Sequence, residues 1–271
     1  MDRPWDLAIW NYPAAEFLLS GATSGAVDNP FRIKRHRPEV CAAKIVEDEV
    51  DVALLPTMLA LQAQEALDVI PSVGLVAWKY PYARLVWNGG LHEMPQTIAY
   101  DRRVAQERFV TRVIMHEHYK ADPTFVPYDD RSARALLDTE EDAALMVGPN
   151  VPSLQPEPFT IDIGREWYEL SNYPMVWGLF VTQRDRADDD LIEALIDSAT
   201  AADENRDVWV QAQETSEILN EFYREDLRTG IDKLAVASLT ELRKYLFYYD
   251  VTDDIPDLPF VFLDEEEEDE E

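Results

Sequence analysis

Two positions in this chain carry polar side chains where a small ligand would be met. Asn11 follows the apolar run Leu7-Ala8-Ile9-Trp10 and precedes Pro13; Thr57 follows Val50 to Pro56, a run interrupted only by Asp51. Both runs read as strands that end at the start of a helix. In open α/β sheets, ligands lie at the carboxyl ends of strands, beside helix N-termini whose free N–H groups favour polar and anionic partners. Thr57 also stands where an N-cap hydroxyl would satisfy those N–H groups. A carboxamide and a hydroxyl at two such tips can hold and orient a ligand. Neither is a nucleophile or a base by itself, so the chemistry they suit is positioning.

Other reactive residue types do not assemble into a site. His116 and His118 flank Glu117 on a predicted helix, where residues two apart point to different faces, so they do not form a metal pair. Asp129-Asp130 and Asp188-Asp189-Asp190 read as loop and helix-cap acids, and Ca²⁺ needs more oxygen ligands at defined spacing. Cys41, the single cysteine, sits in the apolar Val40-Cys41-Ala42-Ala43 and reads as a buried structural thiol. No GxGxxG, Walker A or GxSxG motif is present. The stretch 31–38 carries Arg32, Lys34, Arg35 and Arg37. It is either an edge strand with a charged face or a device that steers anions toward a nearby cleft.

The elements that would position these residues alternate. Val50 to Leu55 suits a strand covered on both faces. A helix is expected over 39–49 and another from Thr57 to about Leu67, with β runs at 69–78 and 84–87. Asn88-Gly89-Gly90 is a strong breaker where the chain would leave one lobe. A second set follows: a strand at 96–100, a helix over about 104–119, short strands near 125 and at 142–147, and a strand at 175–181. Beyond Asp188 the chain reads as helical, with breaks near Glu214, Thr229 and Ser238. This alternation predicts an α/β class with largely parallel sheets in two lobes around a ligand cleft. Lobe 1 is expected over 1–88 plus 178–263 and lobe 2 over 89–177, with 264–271 as a disordered, solvating acidic tail.

Composition excludes several functions. With 54 acidic against 24 basic residues the formal net charge is −30. The eight acids of 264–271 account for only part of it, and just six of the basic residues are lysine. A nucleic-acid surface needs a basic face, so nucleic acid is excluded as a partner. No apolar run of membrane-spanning length exists, and Met1-Asp2-Arg3-Pro4-Trp5-Asp6 lacks the pattern of a signal peptide. The expected compartment is the cytoplasm, and the expected partner is a small molecule. A strongly anionic, lysine-poor surface further suggests adaptation to high salt, where hydrated carboxylates preserve solubility.

Several segments together resemble one family. Glu49-Val50-Asp51-Val52-Ala53-Leu54-Leu55-Pro56-Thr57 is similar to its G-E-x-D-V-A-x-x-P-S, and Asp142-Ala143-Ala144-Leu145-Met146-Val147-Gly148 to its D-A-A-L-x-I-G. Asp162-Ile163-Gly164-Arg165-Glu166-Trp167 followed by Tyr173-Pro174-Met175-Val176-Trp177 resembles D-L-G-x-x-W and L-P-F-V-F. Tyr245-Leu246-Phe247-Tyr248-Tyr249 resembles its C-terminal Y-L-x-x-L-x-Y, and Asn11-x-Pro13 recurs after the first strand. The chain thus resembles, over nearly its full length, the chorismate dehydratase family of the futalosine route to menaquinone. The resemblance implies the two-lobed fold of periplasmic binding proteins (type II) and removal of water from chorismate without metal or redox cofactor. It also implies that Asn11 corresponds to the family's catalytically important Asn.

Departures fall mostly in the second lobe. Thr57 replaces the family's Ser and keeps a hydroxyl. Gln106-Glu107 stand where the family has Thr-Ser, Gly148-Pro149-Asn150-Val151 where it has G-D-x-A-L, and Tyr82-Ala83-Arg84 where it has Gly-Ser-Val. Substrate contacts are therefore expected from Thr57, Arg84, Gln106 and Asn150. Glu107 would repel a carboxylate if it pointed inward, and Arg84 or Arg103 would either supply replacement cations or lie on the surface. Two functions fit: a divergent lyase, or a non-catalytic binding protein using the same cleft. The acidic surface generates a separate expectation. The thermal midpoint should rise clearly between about 0.1 M and about 2 M KCl, as carboxylate repulsion is screened. Full stability retained in low-salt buffer would refute adaptation to salt.

Overall fold

The apolar runs pair into two sheets, seen in a computed structural model that describes residues 3–87, 93–154, 159–213 and 216–261. The breaker at Asn88-Gly89-Gly90, the helix break near Glu214 and the acidic run 264–271 lie outside the described residues. In chain order the elements are β1 (Trp5–Trp10), α1 (Pro13–Leu18), α2 (Ser20–Thr23), β2 (Phe31–His36), α3 (Pro38–Val46), β3 (Val52–Pro56), α4 (Thr57–Gln62), β4 (Leu67–Ala77) and β5 (Ala83–Trp87). Then come β6 (Thr97–Asp101), α5 (Ala105–Glu117), β7 (Thr124–Tyr128), α6 (Ala133–Leu136), β8 (Ala143–Val147), β9 (Thr160–Asp162) and α7 (Ile163–Ser171). The chain closes with β10 (Met175–Gln183), α8 (Asp189–Glu204), α9 (Arg206–Ala212), α10 (Glu217–Glu221), β11 (Leu227–Gly230) and α11 (Lys233–Tyr248).

The first sheet has the order β11-β4-β10-β3-β1-β2 and the second β7-β6-β8-β5-β9. Only three strands of each are parallel to one another: β2, β1 and β3 in the first, β7, β6 and β8 in the second. The expectation of largely parallel sheets is corrected to mixed ones. The reason is the route of the chain. β10 returns from the second sheet and enters between β3 and β4, antiparallel to both. β5, placed with the first lobe from sequence, is hydrogen-bonded to β8 and β9 in the second sheet. The chain therefore leaves the first sheet after Ala77 and rejoins it at Met175. An apolar strand run shows that a strand exists but not which strand it pairs with.

Local chemistry fixes the crossing between sheets. Asp162 caps α7, accepting from Arg165 N at 3.0 Å, and its other bond comes from Tyr80 N at 2.8 Å. A Cβ at Gly164 would lie 2.8 Å from Tyr80 N and 3.0 Å from the Lys79 carbonyl carbon, so α7 can approach that backbone only at a glycine. Burial pushes the Asp162 carboxyl up to about 6, against the pull of these N–H groups. The break expected near Ser238 is absent: Ser238 is buried within α11 and accepts from Trp167 Nε1 at 3.1 Å. The break near Thr229 is a strand, β11. After α11, Tyr249 donates to Glu117 at 3.1 Å and lies under the Arg112 guanidinium at 4.9 Å. The late tyrosines thus tie the last helix to α5. Cys41 is buried as expected, and burial pushes its thiol up to about 12.

β3 is buried along its whole length between β1 and β10. β10 carries a bulge at Trp177, where its register against β4 shifts between Val176 and Gly178. A Cβ on Gly178 would lie 2.9 Å from Trp10 Cη2 and 3.1 Å from Leu54 Cδ1. The glycine makes room for the Trp10 indole at the tip of β1. Gly178→Ala should therefore lower the unfolding free energy by about 1–3 kcal/mol, read by urea titration, because Trp10 must leave its rotamer. An unchanged transition midpoint would show that the indole has room to spare.

Candidate functional site

A cavity of about 430 Å³ lies between the two sheets, in the size range of small-molecule sites. Its walls are the carboxyl ends of the parallel strands and the residues that follow them. From the first sheet come Trp10, Asn11 and Tyr12 after β1, Arg37, Pro38 and Glu39 after β2, and Pro56 and Leu59 after β3. From the second come Asp101 and Arg103 to Glu107 after β6, Arg131 to Arg134 after β7, and Val147 to Val151 with Leu154 after β8. The opening expectation that strand tips form a ligand wall thus extends to six strands.

The site residues expected from sequence divide into those that face the cavity free and those the fold has taken. Asn11 is exposed in the cavity; its backbone N–H donates to His36 O at 2.9 Å, while its carboxamide has no partner among the described residues. Asn150 lines the cavity likewise, following the left-handed Gly148 (φ 137°), with no described partner on its side-chain amide. Thr57 does not cap a helix and does not line the cavity. It is the first residue of α4, fully buried, and donates Oγ1 to Val176 O at 2.7 Å, because the bulge in β10 leaves that carbonyl in need of a donor.

Gln106 reaches the cavity wall but its carboxamide is fully engaged. Oε1 accepts from Met58 N at 2.9 Å and Nε2 donates to Trp177 O at 2.9 Å. It clasps α5 of one lobe to α4 and β10 of the other. Arg84 does not line the cavity. It is buried in β5 opposite Asp162, whose carboxylate acts on it, so it belongs to the support of the α7 cap. Arg103 does line the cavity, yet its guanidinium is bound by Asp101 (Nε to Oδ1 2.7 Å, Nη2 to Oδ2 2.6 Å) and by Asp130. Burial pulls Asp101 up, but the Arg103 contacts override it and hold its carboxyl below the usual range.

Of the four cations in 31–38, Arg32 and Lys34 pair with Asp6 and Arg35 with Glu16, on an edge strand. Arg37 alone among these lines the cavity, 3.8 Å from Asp130. The edge-strand reading thus holds for Arg32, Lys34 and Arg35, and Arg37 is the one of the four placed beside a cleft.

One cavity group, Tyr12, was missed from sequence, and the state of a second, Glu107, was not legible there. Tyr12 is buried apart from its tip, packed 6.0 Å from Trp10 and 5.8 Å from Tyr82, and its hydroxyl has no hydrogen-bond partner among the described residues. Burial, then the charge of Glu107, raises its pKa, so it remains a hydrogen-bond donor. Its only signal was its place inside Asn11-Tyr12-Pro13, read as a turn. Glu107 lines the cavity with no ion pair among the described residues. It is partly exposed, and burial pushes its carboxyl up to about 7, partly offset by its own backbone N–H. Sequence placed an acid there but not its state. No cluster of His, Cys, Asp and Glu suited to a metal exists among the described residues. The groups without a described partner are thus two carboxamides, a phenol and a partly buried carboxyl, with the exposed Arg37 and Arg131 at the rim. They can orient and desolvate a ligand.

A family model described as menaquinone biosynthesis matches residues 5–248. Among solved structures, protein AF1704 from Archaeoglobus fulgidus is similar, with a TM-score of 0.68 and 18% identity over 92% of this chain and 98% of that one. The alkanesulfonate-binding protein SsuA from Xanthomonas axonopodis pv. citri, solved with MOPS bound, gives 0.65 and 14% over 95% and 96%. The Candida albicans CA3427 gene product, described as having the generic periplasmic binding protein fold, gives 0.63 and 13% over 97% and 98%. At these identities the likeness is one of fold. No curated protein sequence matches the chain.

The state of Glu107 generates a stability prediction. Its native pKa is raised, to about 7 from 4.5, so its neutral form contributes stability below about pH 4.5 that is lost as pH rises through about 7. Glu107→Gln removes that loss. Its advantage over the wild type in urea unfolding should be about 1–3 kcal/mol at pH near 8.5 and should shrink toward pH 5. Asp162 titrates in the same window in both proteins and cancels in the difference. A pH-independent difference would contradict a buried, neutral Glu107.

Proposed function

The chain belongs to the chorismate dehydratase family of menaquinone biosynthesis, and from that premise we propose that it is a carbon–oxygen lyase. The reaction is elimination of water from chorismate to give 3-[(1-carboxyvinyl)oxy]benzoate. The observation that carries this reading is the Asn11 carboxamide at the tip of β1, without a partner among the described residues, facing a cavity of about 430 Å³ that Tyr12 also lines. In the elimination a ring C–H bond breaks, its electron pair forms the new ring double bond, and the C–O bond to the hydroxyl breaks. The ring proton goes to a base and the hydroxide leaves as water once protonated. The substrate's own enolpyruvyl carboxylate is the base we assign, since it is carried by the reacting molecule within reach of the ring proton. Asn11 and Asn150 hold the substrate so that this carboxylate meets the ring proton. Thr57, Gln106 and Arg84 have no direct part in this scheme.

A second reading, a non-catalytic binding protein for a small carboxylate, is favoured by one feature: Glu107 occupies the wall where a carboxylate-binding hydroxyl would otherwise stand. Among the described residues no helix is long and apolar enough to cross a membrane. The setting we propose is a salt-rich cytoplasm, which the excess of 54 acidic over 24 basic residues supports. Incubation with chorismate, followed by mass spectrometry, separates the two readings. The lyase reading expects a product lighter by one water, and Asn11→Ala should slow its formation at least about 100-fold while leaving the fold intact. A chorismate analogue lacking the enolpyruvyl carboxylate should be inert. Unchanged chorismate after prolonged incubation would leave the binding-protein reading.

A further inference from the structure

The inner and outer ends of the cavity differ in charge. Glu107 lies in the first turn of α5. The N-terminal turn of a helix is where free N–H groups and the dipole favour an anion. Here the protein has placed a carboxyl of its own at that position, with no cation among the described residues paired to it. The Tyr12 hydroxyl, without a partner among the described residues, belongs to the lining of the same cavity. The outer end is different: Arg37 and Arg131 line it and are both exposed. Arg37 has only the 3.8 Å approach to Asp130, and Arg131 lies 5.7 Å over the Tyr128 ring.

We infer that Glu107 determines specificity by fixing which way round a ligand lies: the inner end accepts a hydroxyl, and a carboxylate is held at the outer end by Arg37 and Arg131. A hydroxyl there donates to the Glu107 carboxylate and accepts from Tyr12, which satisfies both groups. A carboxylate at the same place faces Glu107 unpaired, in a partly enclosed wall where like charges are screened less than in bulk water. The other charged or titratable groups around this end are Glu39 on α3, the Asp101–Arg103 pair before α5, and Tyr80, whose buried hydroxyl stays protonated. The inference deepens the proposed function and rests on it only in taking the ligand to be a small ring acid.

Isothermal titration at pH near 8.5, where Glu107 is ionised, tests it with 3-hydroxybenzoate and benzene-1,3-dicarboxylate. The wild type should bind the hydroxy acid at least about tenfold more tightly than the dicarboxylate. Glu107→Gln should bring the two within about twofold, and Arg131→Ala should weaken both by a similar factor. Equal affinities in the wild type, a ratio unchanged by Glu107→Gln, or binding of neither compound would each overturn the inference. Chorismate turnover is a separate readout. A chain that turns over chorismate without the preference retains the lyase reading and loses this one, and the reverse result does the opposite.

Discussion

The carboxamide of Gln106 is the contact on which the shape of the cleft depends. It satisfies two backbone groups that their own elements leave open. Met58 N belongs to the first turn of α4, where helical N–H groups have no intrahelical acceptor. Trp177 O sits at the bulge in β10, where the ladder is interrupted. Each group is buried, and an unmet buried N–H or C=O costs about 1–3 kcal/mol. Gln106 meets both from the opposite lobe. The two sheets are therefore joined near the cavity floor by hydrogen bonds that neither lobe can replace alone.

That clasp also decides which polar groups a ligand can use. The bulge at Trp177 draws Thr57 Oγ1 to Val176 O and Gln106 Nε2 to Trp177 O. Two side chains of ligand-binding type become part of the frame. Asp101 takes Arg103 in the same way, and Asp162 takes Tyr80 N and Arg165 N. Among the described residues, the cavity groups left without a partner are the amides of Asn11 and Asn150, the phenol of Tyr12 and the carboxyl of Glu107, with Arg37 and Arg131 exposed at the rim. The cavity's chemistry is thus the remainder after the fold has satisfied itself.

This explains what was legible in the sequence. Two-lobed α/β architecture, the strand tips at Asn11 and Thr57, and the family resemblance all rest on local runs and short motifs, which a single chain displays. Asp162-Ile163-Gly164 was visible as a motif, and its cause is now clear: a cap, a cross-tie to Tyr80 and a glycine that admits the backbone. The partner of β5, the bulge in β10 and the direction of Gln106 were not legible, because each depends on a strand or helix far away in sequence. Thr57 was read as a cap by its position after Pro56. A hydroxyl there is equally placed to reach 119 residues ahead to Val176, and nothing local distinguishes the two.

The same reasoning ranks what keeps the cleft closed. At the mouth, Asp130 joins Arg37 of one lobe to Arg103 of the other, and the Arg37 contact is long and exposed. Exposed pairs of this kind contribute about 0–1 kcal/mol and weaken further in salt. In a chain whose net charge is −30, any salt that relieves carboxylate repulsion also loosens that latch. Closure that survives such conditions has to rest on contacts salt cannot screen. The Gln106 bonds and the docking of α11 through Trp167–Ser238 are buried and neutral, and they meet this requirement. The rim charges are then free to engage a ligand, while the floor of the cleft holds the lobes together.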